Sequence, residues 1–97
     1  MCLAMLSAVD DGVGEVMTAL REKGIDEKTL IFFISDNGGM PNPKNEGYDA
    51  SWNDPLLGEK GLLLEGGIRV PWIACMKGTI PGGQVVDSPV ITLDVAA

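Results

Sequence analysis

Apolar side chains recur at three- and four-residue steps from Leu3 through Leu6, Val9, Val13, Val16, Met17 and Leu20, which gathers them on one face of a helix. Asp10, Asp11 and Glu15 fall largely outside that stripe. The spacing predicts an amphipathic helix over 3–23. Arg21 and Lys23 suit its last turn, where cations complement the helix dipole, and Gly24 is a natural stop. After a turn at "IDEKT" the pattern changes. "LIFFIS", 30–35, is apolar at consecutive positions, the mark of a strand covered on both faces. "IRVPWIACM", 68–76, predicts a second strand, with Pro71 placing it at an edge or a bulge. "KGTIPGG" reads as a turn and "QVVDSPV" as a short strand.

A helix followed by a buried strand is half of a crossover unit, so the expected fold class is α/β. From Gly38 to Gly67 the chain is rich in Gly, Pro, Asn and Asp without a clean period. A connection that long within a compact domain points to function or disorder. Met1 enters the first helix with no capping residue, and "ITLDVAA" opens a new apolar segment with no cap after it. Those ends carry the expectation of a piece of a larger domain.

Composition narrows the classes. Of the 97 residues, 45% are hydrophobic and 22% charged, a globular balance. A net charge of -7 argues against a nucleic-acid partner, which needs a basic face. The longest apolar run, Met1 to Leu6, is far short of the roughly 20 residues that span a bilayer, and no basic amphipathic helix suits a membrane surface. No secretory leader is visible. Cys2 and Cys75 lie among apolar neighbours in no metal-like spacing and are expected to be buried free thiols. Histidine is absent, which removes Ser-His and Cys-His nucleophiles and His-based zinc sites from this chain.

Two stretches carry candidate chemistry. In "FISDNGG", Asp36 and Asn37 follow the first strand and precede two glycines. Asp, Asn and Gly are common turn residues, so a plain turn is one reading. A carboxylate and a carboxamide oxygen at the carboxyl end of an α/β strand also suit a hard cation, and that is the other. In "NDPLLGEKGLLLEGGIRVP", Lys60 lies near Gly58 and Gly61, either as a solvated lysine or as an anion contact with little around it. Glu65 and Arg69 bracket Gly66 and Gly67 and are expected to pair in a structural role.

Taken in order, "SDNGG" and then "GxKGxxxEGGxRVP" (Gly58 to Pro71) resemble the central-to-late part of a sulfatase of the arylsulfatase type, in the alkaline phosphatase superfamily. The first motif is modest evidence and the second is highly specific; the resemblance covers nearly the whole chain. It implies that 1–97 lies within a single sulfatase catalytic domain, a partial alkaline-phosphatase-like three-layer sandwich with a mostly parallel sheet. It implies a formylglycine nucleophile, made from Cys or Ser in a C/S-x-P/A-x-R motif, and a divalent cation, Ca²⁺ or else Mg²⁺. By the resemblance Asp36 and Asn37 match metal ligands, and Lys60 matches a lysine that contacts the sulfate. The partners implied are a sulfate-ester substrate and the remainder of the sulfatase chain; bacterial members of the family are often exported.

The departures are specific. Leu57 stands where the family often has Arg, and Leu64 where it often has an aromatic residue. Neither cysteine lies in the nucleophile motif, and Asp10 and Asp11 lie mid-helix, in a different context from the family's early metal-ligand aspartates. The 97-residue chain alone is therefore expected to be inactive. A phosphodiesterase or phosphonate hydrolase of the same superfamily is an alternative, as is a non-catalytic module binding Ca²⁺ or a protein.

Overall fold

A computed structural model describes residues 2–40 and 52–96, with Cys2 described by its backbone alone. The middle of the predicted long connection, 41–51, lies outside the described residues, as do Met1 and Ala97. Helix α1 runs Cys2–Glu22, as its periodicity predicts. It ends in a Schellman motif: Gly24 takes φ 63°, Ile25 N–H donates to the Leu20 carbonyl and Gly24 N–H to that of Arg21. Glycine fits there because the left-handed region penalises a Cβ. A 3-10 turn, Asp26–Lys28, then leads into strand β1, Ile31–Ile34.

The partner of β1 is strand β2, Trp72–Cys75, and the two run antiparallel, with Ile31 opposite Cys75 and Ile34 opposite Trp72. It is the only pairing among the described residues, and no parallel pair occurs among them. The α/β character stands; short apolar strands encode burial and not direction. β2 is shorter than the predicted 68–76, because Pro71 cannot donate to a ladder and residues before it form a single helical turn, α2, Glu65–Ile68. The Pro71 carbonyl still accepts from Ser35 N–H at 3.3 Å, carrying the ladder one step past β1.

The register sorts side chains between two faces. Phe32 and Trp72 share one, with ring centroids 6.2 Å apart and edge-on at 82°, a favourable aromatic geometry. Phe33 and Ile73 share the other, which turns toward the Leu6, Val9, Val13 and Met17 stripe of α1 across an open cleft of about 670 Å³. Cys75 lines that cleft and is exposed, contrary to the expected burial, because helix and sheet do not close on each other. Lys77, just beyond β2, reaches back to the 3-10 turn, its ammonium 2.9 Å from Asp26 and 3.3 Å from Glu27. The hydrogen bond that Lys77 donates holds the Asp26 carboxyl below its ordinary value, and donating to Asp26 and then to Glu27 pushes the lysine up.

"QVVDSPV" forms no strand. Val85 and Val86 are exposed, and the segment from Ile80 to Val90 stands off from β2 across a second cleft, so it lacks the ladder partner that a strand requires. A 3-10 helix, Thr92–Ala96, follows within the apolar segment "ITLDVAA". Among the described residues no helix is long and apolar enough to cross a membrane.

None of the described hydrophobic side chains is buried. Leu3, Leu57, Leu63 and Leu93 are each more than three-quarters exposed. Apolar surface on this scale drives association. The isolated 97-residue chain should therefore run as oligomers or aggregates on size exclusion at micromolar concentration and bind a hydrophobic dye. A monomeric mass with one sharp cooperative melt would show the chain to be self-sufficient.

Candidate functional site

The three buried residues of the described chain are glycines, Gly38, Gly66 and Gly67, and they mark where the two motif-bearing stretches cross. Gly38 N–H donates to the Gly67 carbonyl at 2.8 Å, and Gly66 N–H to the Leu57 carbonyl at 2.8 Å. A Cβ on Gly38 would fall on the Gly66 carbonyl, and one on Gly66 would fall on that of Gly58. The backbones approach too closely for any side chain, so glycine at these positions reflects packing. Lys60 N–H closes the knot from the other side, donating to the Gly39 carbonyl at 3.1 Å. The Asp36–Gly39 turn, the lysine loop and α2 are thus held together by backbone hydrogen bonds.

Asp36 emerges from β1 exposed, and its carboxylate makes no hydrogen bond or ion pair with any described residue. Asn37 is half-buried; its Nδ2 donates to the Gly38 carbonyl at 2.9 Å, which leaves Oδ1 as the uncommitted end. Ser35 Oγ donates to the Asn37 carbonyl at 3.0 Å and steadies the turn. Two adjacent residues therefore present oxygen donors with nothing in the described chain to satisfy them, which fits part of the shell of a hard cation. Among the described residues no three acidic, thiol or imidazole groups cluster. Such an ion takes six or more oxygens, so this pair would supply only some of them.

Lys60 is exposed and its ammonium pairs with no described carboxylate. Gly58 and Gly61, with φ 98° and 93°, bend the loop on either side of it. Glu65 and Arg69 pair as the sequence suggested, at 3.4 Å, but both side chains are about two-thirds exposed. An ion pair so wet contributes little; the Arg69 N–H bond to the Glu65 carbonyl, which caps α2, is the firmer link.

Sequence reading passed over Asn53. Its Oδ1 accepts from Gly39 N–H at 2.9 Å, while its Nδ2 donates to the carbonyls of Gly39, at 2.9 Å, and Gly58, at 3.0 Å. An amide side chain amid glycines and prolines, with no partner of its own in sequence, is the signal that could have found it.

The family model described as Sulfatase matches residues 2–97. The chain belongs to the sulfatase family. This sulfatase segment is 42% identical to N-acetylgalactosamine-6-sulfatase of Mus musculus over 79% of its own length. It is 36% identical to arylsulfatase D of Homo sapiens over 86%, and 38% identical to steryl-sulfatase of Mus musculus over 90%. In each case it spans 14% of the relative's length. No solved structure matches it significantly.

Proposed function

We propose that this segment is part of the catalytic domain of a sulfuric ester hydrolase. Asp36 and Asn37 contribute oxygen ligands to a divalent cation, Ca²⁺ in the first instance, and Lys60 contacts the sulfate. One observation carries the reading: the bonds from Gly38 N–H to Gly67 and from Lys60 N–H to Gly39 draw the uncommitted oxygen pair and the unpaired lysine into one knot, in a chain of the sulfatase family.

When bound, a divalent cation polarises the sulfate oxygens and stabilises charge that develops on them. Asp36 would hold it by its carboxylate and Asn37 by Oδ1, the amide being oriented by its bond to Gly38. Lys60 would seat the anionic sulfate and balance charge on the departing oxygen, at a site formed before the reaction begins. The formylglycine nucleophile would come from elsewhere in a longer protein, since no C/S-x-P/A-x-R motif occurs here. In the whole domain, β1 and β2 would join a mostly parallel sheet layered between helices, which would cover the apolar faces that this segment leaves open.

The test uses the full-length protein that carries this chain. It should hydrolyse 4-nitrophenyl sulfate in preference to 4-nitrophenyl phosphate, lose turnover to a chelator and regain it with Ca²⁺. Asp36→Ala should raise the Ca²⁺ concentration for half-maximal activity by about 10-fold or more, with partial recovery at high Ca²⁺, as expected for loss of one charged ligand. Unchanged calcium dependence in Asp36→Ala would remove that residue from the metal site.

A further inference from the structure

Asn53 belongs to none of the residues assigned to chemistry, yet it makes the densest set of side-chain hydrogen bonds at the site. Its amide grips Gly39 at both the N–H and the carbonyl and extends a third bond to the Gly58 carbonyl. The Gly39 carbonyl is also the acceptor for Lys60 N–H. Gly39 follows the Asp36–Asn37 turn, and Gly58 opens the bend that leads to Lys60. Asn53 is itself anchored, its own carbonyl accepting from Leu56 N–H at 2.7 Å. We infer that Asn53 is a positioning residue that sets where Lys60 stands relative to the Asp36–Asn37 pair.

The chemistry of the side chain is specific to that task. A carboxamide offers one acceptor and two N–H donors, and here the acceptor and the donors are all engaged. A residue held at both its N–H and its carbonyl has the peptide groups on either side of it restrained, so the two loops favour one relative placement. Asp at this position would keep the acceptor but turn its second oxygen onto two carbonyls. Ala would remove all three bonds, leave the Gly39 N–H unpaired, and leave the two loops joined by backbone bonds alone. A charge-stabilising group must sit in place before the reaction to be effective, and a displacement of about 1 Å can cost about 10²-fold in rate.

The inference rests on the proposed sulfate-binding role of Lys60, so the experiment separates the two. In the full-length protein, Asn53→Ala, Asn53→Asp, Lys60→Ala and the Asn53→Ala/Lys60→Ala double variant are compared. The readouts are turnover of 4-nitrophenyl sulfate, calorimetric affinity for inorganic sulfate, and thermal melting. Asn53→Ala should lower kcat by about 10- to 100-fold and weaken sulfate binding, on the scale of such misplacement. Asn53→Asp, nearly equal in volume, should do the same. With Lys60 already replaced, Asn53→Ala should cost less than about threefold more, because coupled residues are not additive. Losses that multiply in the double variant would overturn the inference. So would Asn53 variants that melt earlier but keep kcat and sulfate affinity within about twofold in the folded protein, since that is a purely structural role. Lys60→Ala reads the proposed function by itself: no loss there removes the sulfate role and this inference with it, whereas a loss there with a multiplicative Asn53 effect removes this inference alone.

Discussion

On the proposed role of Lys60, its replacement by Ala in the full-length protein should cut kcat by about 10²-fold or more, the scale of losing one preorganised charge-stabilising donor. The affinity for the divalent cation should stay nearly unchanged. The two effects separate because Lys60 joins the site through its backbone N–H to Gly39, a bond that Ala retains. Only the ammonium is lost. Its stem is flexible and its charge compact, and Gly58 and Gly61 near it add no bulk. Glu65→Gln is the matched control. Its pair with Arg69 is exposed, so the change should alter stability slightly and turnover less. Near-normal kcat/KM in Lys60→Ala, together with loss of turnover in a folded Glu65→Gln protein, would move the anion contact from the lysine to the Glu-Gly-Gly turn.

The second large effect is on stability. Gly66→Ala should destabilise the full-length protein by about 3 kcal/mol, the upper end of the usual cost of overpacking. The added methyl would meet the carbonyls of Gly58 and Leu57. Those are backbone atoms and cannot rotate aside as a side chain would. Relief would pull the Gly66 N–H away from its 2.8 Å bond to Leu57 and shift the loop that carries Lys60. Gly12→Ala gives the opposite sign. Nothing lies within 4 Å of a Cβ at that position on α1, and Ala exceeds Gly in helix propensity by about 1 kcal/mol. Urea unfolding of both variants decides the matter; a Gly66→Ala protein as stable as wild type would show that the close approach of the two loops is not needed.

What was legible in the sequence followed from periodicity and strong local chemistry. α1 announced itself through its apolar stripe and Gly24, and it stops in the motif that such a glycine favours. β1 was visible as a run of four apolar residues that leads directly into Asp36 and Asn37. The meeting of that turn with the lysine loop was legible only through family resemblance, because it depends on hydrogen bonds between backbones far apart in the chain. Strand direction was hidden for a related reason: Ile31–Ile34 would look the same beside a parallel or an antiparallel partner. α2 was hidden because Glu-Gly-Gly-Ile has little helix propensity; its turn follows from the close approach of Gly66 and Gly67 to the loop at 57–62. Cys75 misled because apolar neighbours in sequence do not guarantee a covering layer in space.

The double grip between Gly39 and Asn53 has a consequence for how such a protein can change over time. The two residues are 14 positions apart and are joined by two hydrogen bonds. The entropy of closing a flexible loop grows only logarithmically with length, and doubling the length costs about 0.6 kcal/mol. A change in the number of residues between Gly39 and Asn53 therefore costs the clasp little, and the backbone bonds from Gly38 to Gly67 and from Lys60 to Gly39 do not depend on it. Sequence length in that interval and the spacing of Asp36, Asn37 and Lys60 are thus separate variables.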